Sequence, residues 1–162
     1  MAALPAPLQI RLDDLSDPRI EAFMQEHLQD MYAASPPESV HALDMDQLRQ
    51  PGIAFWSAWL AHADGDTLVG TGALKRLDAD HAELKSMRTS ARHRGQGIAR
   101  QVLAHLLQEA RARGFSRVSL ETGPQPFFEP ARQLYFQHDF VECGPFADYV
   151  PDPYSFFMTR PV

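Results

Sequence analysis

The sequence predicts a mixed α/β (α+β) domain whose central, mostly antiparallel sheet of six to seven strands carries helices on both faces. Three observations predict it. Residues 53–89 show apolar/polar alternation in successive runs joined by short turns, the pattern of an antiparallel meander. A strand–helix–strand run follows over residues 83–121, and such a crossover joins parallel strands. The chain has 162 residues, 44% of them apolar, enough for one substantial core and too few for two. A meander joined to a crossover gives a mixed sheet that helices must cover on both sides. Residues 1–162 are read as one domain, with residues 1–7 expected to be flexible.

Residues 8–12 alternate and form the first strand. Pro18 opens a helix behind Ser16 or Asp17 as cap, and Ile20, Phe23, Met24, Leu28 and Met31 give it an apolar stripe. Ser35, Pro36 and Pro37 end it. Residues 44–49 make a short helical turn that Pro51 and Gly52 break. Strands at 53–61 and 67–77 pair as a hairpin through Asp64-Gly65-Asp66, and residues 78–80 turn into a third strand at 83–89. A helix runs from about Gly97 to Gly114, where Ile98, Val102, Leu103, Leu106, Leu107 and Ala110 recur at helical spacing. Arg111 and Arg113 suit its last turn, and Gly114 takes the left-handed position beyond it. Residues 117–121 form a short strand, 128–138 another helix, and 140–143 and 154–159 the closing strands.

Net charge is −6 with a pI near 5.6, which argues against nucleic acid as a partner. No apolar run is long enough to span a bilayer, and the first residues lack a basic-then-apolar export pattern. No membrane partner and a cytoplasmic location are therefore expected. The single Cys143 excludes an internal disulfide and a paired-cysteine metal site, and no metal is expected. The charge is uneven. Five Lys/Arg and no Asp or Glu lie between Lys85 and Arg100, so an acidic protein carries one anion-attracting patch. Asp44 and Asp46, in the acidic remainder, suit a cationic substrate beside an anionic cofactor.

The patch centres on Arg92-His93-Arg94-Gly95-Gln96-Gly97-Ile98-Ala99, between a strand and a helix. Gly95 and Gly97 leave backbone N–H groups bare, while Arg92, Arg94 and Arg100 add positive charge at a helix start. That combination holds phosphate groups. No third glycine or acid-ended second strand completes a dinucleotide fingerprint, and Gly-Lys-Ser/Thr is absent, so a Rossmann site is disfavoured and a P-loop is excluded. As Gln/Arg-x-x-Gly-x-Gly/Ala, the segment resembles the acetyl-CoA signature of the GCN5-related N-acetyltransferase (GNAT) superfamily. Glu129-Pro130-Ala131-Arg132-Gln133-Leu134-Tyr135, leading to Phe140, resembles a second segment of that family. The element order agrees with the family fold from Leu8 to Thr159.

The resemblance implies a GNAT fold and an N-acetyltransferase with acetyl-CoA as co-substrate. The cofactor-binding residues it implies are Met87, Arg88, Thr89, Arg92, Arg94, Gly95, Gln96, Gly97, Ile98, Ala99 and Arg100. In the family the strand end at Met87, Arg88 and Thr89 splays from its neighbour, often at a bulge. That would free a backbone N–H at Met87 to polarise the thioester carbonyl; the competing reading is an unbroken strand. Tyr135 matches the family's general acid, placed to protonate a departing thiolate. The competing reading is a core aromatic beside Leu134, Phe136 and Phe140. Glu83 is the candidate base, and unbroken alternation would put it on one strand face with Met87; the competing reading is a surface glutamate paired with a cation. Glu121, at the end of the next strand, is a second candidate. His81 and His93 are read as solvent-exposed turn residues.

Two departures from the family pattern matter. Phe128 stands where many members carry Asn, removing a hydrogen bond near the cofactor. That leaves open a domain that binds or senses acyl-CoA without turnover. A third reading, an interaction module with a vestigial pocket, is opposed by the glycines and the basic cluster. Asp139 replaces a frequent Gly, and Asp tolerates left-handed backbone angles. A proline-constrained aromatic segment, residues 144–154, either lines the acceptor pocket or only packs against the core. The expected reaction is direct acetyl transfer, in a ternary complex, to a primary amine of a small molecule or peptide. Homodimers are common in the family and compatible with the exposed apolar tail.

Overall fold

A computed structural model describes residues 7–162. The expectation of a flexible 1–7 lies outside the described residues, save Pro7, whose carbonyl accepts from the Ala61 amide at 3.3 Å. In chain order the elements are β1 (Leu8–Asp13), α1 (Pro18–Ala34), α2 (Met45–Leu48), β2 (Ile53–His62), β3 (Gly65–Arg76) and β4 (His81–Thr89). They continue with α3 (Ile98–Ala112), β5 (Arg117–Thr122), α4 (Glu129–Gln137), β6 (Val141–Cys143) and β7 (Phe156–Pro161). The sheet order is β1-β2-β3-β4-β5-β7-β6. Among the described strands β4 and β5 run parallel and every other neighbouring pair is antiparallel. This is the mixed, mostly antiparallel sheet that the sequence predicts.

Local chemistry accounts for the element ends. Asp17 caps α1 by accepting from the Arg19 amide at 2.9 Å, with Pro18 as the first helical residue. Ser35 is extended, as a residue before proline must be, and ends the helix. Asp44 is the N-cap of α2 and forms a reciprocal capping box with Gln47. At the far end of α3, Gly114 has φ +88° and the Phe115 amide donates to the Ala110 carbonyl at 3.0 Å.

The helices divide between the two faces. Helix α3 packs Ile98, Val102, Leu103, Leu106 and Leu107 on one face, together with Tyr135 of α4 and Phe140. On the other, Ile20 and Met24 of α1 and Leu48 of α2 pack against Phe55, Trp59 and Ala73. Gly72 lets α3 approach β3 closely: a Cβ there would lie 2.9 Å from Leu106 and 3.1 Å from Val102.

Several boundaries differ from the sequence reading, and β4 begins at His81, which is strand and not turn. The β2–β3 hairpin turns through Ala63-Asp64, with His62 opposite Gly65 at φ +128°, so Asp66 is already strand. The segment before α4 is a 3-10 turn, Pro126–Phe128, because prolines at 126 and 130 break the regular ladder. Tyr154 lies in a turn ahead of β7, which runs on to Pro161 because the register with β5 ends at Arg117 opposite Pro161. Strand β7 inserts between β5 and β6, an order that local patterning does not encode.

Candidate active site

The parallel strands part company early. β4 and β5 pair only from His81 opposite Arg117 to Glu83 opposite Ser119. Beyond that, β4 carries a bulge: Ser86 has φ +58°, and the β3–β4 register shifts between Thr71 and Ala73. The Thr71 hydroxyl donates to the Ser86 carbonyl at 2.8 Å and secures the bulge. The result is a cleft of about 680 Å³, walled by β4 from Leu84 to Thr89, the end of β5, α4 and the loop before α3.

The bulge also reverses the alternation. Glu83 and Lys85 face the α1 side, where Ala73 pairs with Lys85. Met87 faces the opposite side and packs with the α3 core. Glu83 and Met87 therefore do not share a face, contrary to unbroken alternation, because the extra residue at the bulge resets the two-residue period. Arg88 instead returns to the α1 side and pairs with Asp30 at 2.8 Å and Glu26 at 3.4 Å. Two of its guanidinium nitrogens are thus committed to α1, while its buried Nε has no partner among the described residues.

The loop before α3 is built for an anion. Gly95 and Gly97 have φ +77° and +80°, which side chains rarely adopt. Helix α3 has no side-chain cap, and the amides from Arg94 to Arg100 find no protein acceptor among the described residues. Arg94, Gly95, Gly97, Ile98, Ala99 and Arg100 line the cleft, whereas Arg92 and Gln96 are exposed outside its wall. His93 is half-buried on the wall, not an exposed turn residue, and its buried Nδ1 has no partner. Bare amides, a helix N-terminus and two arginines fit a pyrophosphate.

Tyr135 reaches the cleft from the α4 side. Its ring packs edge-on to Phe140 in the core, as the competing reading expects, and the same residue lines the cleft. Burial pushes its phenol above the ordinary value, and its hydroxyl has no protein partner among the described residues. Phe128 is half-buried on the same wall, against Phe127, and offers no hydrogen bond. Asp139 has φ +67°, the left-handed turn expected of it.

A buried polar network occupies the α1 side of the opening. The Tyr149 hydroxyl donates to Glu83 Oε2 at 2.5 Å. Lys85 Nζ spends its three donors on Glu83 Oε2 at 3.3 Å, Tyr149 Oη at 3.0 Å and the His41 carbonyl at 2.9 Å. Burial, then the charge of Glu83, raises the Tyr149 phenol. Glu83 is 2% exposed and does not reach the cleft wall; Glu121 does. Burial raises the Glu121 carboxyl to about 7, against the lowering effects of Ser155 and Lys85. His81 is half-buried rather than exposed, with Nε2 2.6 Å from the Ser119 hydroxyl.

The chain's similarity to known proteins follows the same lines. The Acetyltransferase (GNAT) family pattern matches residues 20–140. The chain belongs to the GNAT acetyltransferase family. It is 53% identical over 153 residues to the uncharacterized N-acetyltransferase YsnE of Bacillus subtilis, covering 94% of this chain and 99% of that one. Identity is 48% over 150 residues to the uncharacterized N-acetyltransferase YedL of Escherichia coli, covering 93% and 92%, and 37% over 141 residues to an IAA acetyltransferase of Azospirillum brasilense, covering 86% of each. Among solved structures, the acetyltransferase of Streptococcus agalactiae superposes with a TM-score of 0.71 at 20% identity, covering 96% and 98% of the two chains.

This GNAT chain is an N-acetyltransferase that takes an acyl-CoA donor. The structure brings Met87, Arg88, Thr89, Arg94, Gly95, Gly97, Ile98, Ala99, Arg100 and Tyr135 to one cleft, and leaves Arg92 and Gln96 outside its wall. It does not bring Asp44 or Asp46 there. Asp44 caps α2 and Asp46 lies 3.7 Å from Arg49, so the acidic pair is structural and exposed. Sequence reasoning missed Lys85, Tyr149, His41 and the buried His27. Tyr149 lies in the aromatic segment already singled out, which lines the site at Tyr154 and also packs, through Phe146 and Tyr149, on Phe157. Among the described residues no helix is long and apolar enough to cross a membrane.

Proposed function

We propose that this GNAT enzyme moves the acetyl group of acetyl-CoA directly to the primary amine of a small molecule, with both substrates bound together. The observation that carries this reading is the cleft where the sheet parts, which places the anion-binding loop, the β4 lip and Tyr135 on one surface. When bound, acetyl-CoA supplies an activated acetyl thioester. The amides of residues 94–100, with Arg94 and Arg100, hold its pyrophosphate, and Arg92 and Gln96 complete the loop's outer side. The backbone of Met87, Arg88 and Thr89, unpaired toward β5, receives the pantetheine arm, and the Met87 N–H polarises the carbonyl. Tyr135, kept protonated by burial, donates a proton to the sulfur. A carboxylate on the face of the sheet that carries Glu83 takes the proton the amine loses.

A small acceptor suits the enclosure better than a peptide. Residues 35–42 strap the acceptor side and are tied at three places. Gln125 Nε2 donates to Ser35 Oγ at 3.0 Å, Ser39 Oγ donates to Asp152 at 2.7 Å, and Lys85 holds the His41 carbonyl. A cleft of about 680 Å³ that must also take the pantetheine arm leaves room for a compact amine.

The test is to incubate the protein with acetyl-CoA and a panel of small amines and peptides, following free thiol. Turnover of a small amine is expected, and Tyr135→Phe should lower kcat by about 10²-fold while the thermal shift on adding CoA persists. A CoA-dependent shift with no turnover across the panel would favour a sensing domain instead.

A further inference from the structure

We propose that Glu121, rather than Glu83, touches the acceptor amine and takes its proton, and that Glu83 acts through Lys85 and Tyr149 as a positioning residue. This rests on the acetyl-transfer reading above and names the group that performs one of its steps.

The argument starts from register. Glu83 lies opposite Ser119 in the last β4–β5 pair, so Glu121 is two residues further along β5, where the strands have separated. A two-residue step keeps Glu121 on the face of Ser119, the face of Glu83 and Lys85. Its partner across β5–β7, Phe157, packs on Tyr149 of the same network. Tyr135 enters from the α3–α4 face. A carboxylate and a phenol thus approach the opening from opposite sides of the sheet, one suited to the nitrogen and the other to the sulfur.

Hydrogen bonding separates the two glutamates. Glu83 is enclosed, and its Oε2 is occupied by Tyr149 and Lys85. Glu121 lines the cleft, and the donor beside it is the buried Ser155 hydroxyl, which lowers the carboxyl against the larger effect of burial. The charged groups that act on Glu121 are Lys85 and Glu83 from β4 and Asp152 from the segment before β7; burial is the largest influence and holds the carboxyl near 7. A carboxylate poised there accepts a proton at neutral pH and releases it readily.

The step balances. The amine nitrogen forms a bond to the acetyl carbon, the carbon–sulfur bond breaks, and Glu121 takes the proton the nitrogen loses. Tyr135 gives one proton to sulfur and regains one from solvent as Glu121 releases its own.

The experiment is a set of pH–rate profiles of kcat/KM for wild type and the variants Glu121→Gln, Glu83→Gln and Lys85→Met, with the acetyl-CoA thermal shift and melting temperature of each. A carbon-13 titration of the Glu121 carboxyl in the free protein is a readout independent of turnover. Wild type should show an acid limb near the pH of that titration. Glu121→Gln should lose the limb and about 10²-fold in rate at neutral pH while keeping its thermal shift with acetyl-CoA. Removing the Glu83 charge should move the limb to lower pH, and removing the Lys85 charge should move it higher, with the limb itself still present in both. An active wild type in which Glu121→Gln keeps the limb, or Glu83→Gln abolishes it, overturns the assignment. A wild type that acetylates no amine overturns the transfer reading itself, a different result.

Discussion

Burial acts with opposite sign on two side chains that meet the cleft, Glu121 and His27. The Glu121 carboxyl is raised to about 7, so its full stability is present below its ordinary value near 4.5 and is lost as pH rises through 7. Glu121→Gln should therefore melt higher than wild type at pH 8 and equally at pH 4, by calorimetry. His27 is lowered to about 4 by burial first and the Arg88 charge second. The unfolded chain binds that proton near 6.5, so His27 contributes stability above 6.5 that is lost as pH falls toward 4, on the order of 3 kcal/mol. In denaturant titrations His27→Gln should flatten the fall between those two values. Neither residue advertises this in the sequence. His27 lies on α1 beside the predicted apolar stripe, and Glu121, a second candidate base in the sequence, meets the cleft only because β4 leaves β5.

Among the elements, β4 and the turn into α3 carry the site. A bulge at Ser86 bends β4 from β5 and turns Met87 away from Glu83, which alternation in the sequence cannot reveal. The loop is the reverse case, since closely spaced glycines and arginines carry their own geometry. Gly97→Ala places a side chain at φ +80° with no protein atom within 4 Å of its Cβ. Strain alone should cost about 1–3 kcal/mol. The informative outcome is a KM for acetyl-CoA raised by more than the melting temperature explains. At Gly72 crowding decides instead: a Cβ 2.9 Å from Leu106 should push α3 off β3, costing about 1–3 kcal/mol by denaturant unfolding.

Taken as a whole molecule, the proposed acceptor side is assembled from distant parts of the chain. Strand β7 lies between β5 and β6, so the segment preceding it returns to β4, and Tyr149 meets Glu83 and Lys85 there. Asp152 of the same segment holds Ser39 of the strap. The double variant Ser39→Ala with Asp152→Asn should loosen that enclosure. Steady-state kinetics should then show KM for the small amine rising while KM for acetyl-CoA holds, because Ser39 and Asp152 lie on the proposed acceptor side, away from the loop before α3.

The sequence by itself determined the fold class and the glycine-arginine loop at one end of the cleft. Both depend on contiguous patterns: strand and helix periods, and a glycine-arginine loop whose backbone geometry is local. Tertiary structure decided which carboxylate meets the cleft, that Asp44 and Asp46 lie away from it, and how the acceptor side closes. The physical reason is separation along the chain. Residues 35–42, Glu83, Glu121 and Tyr149 become neighbours only when the bulge opens the sheet and β7 inserts beside β5.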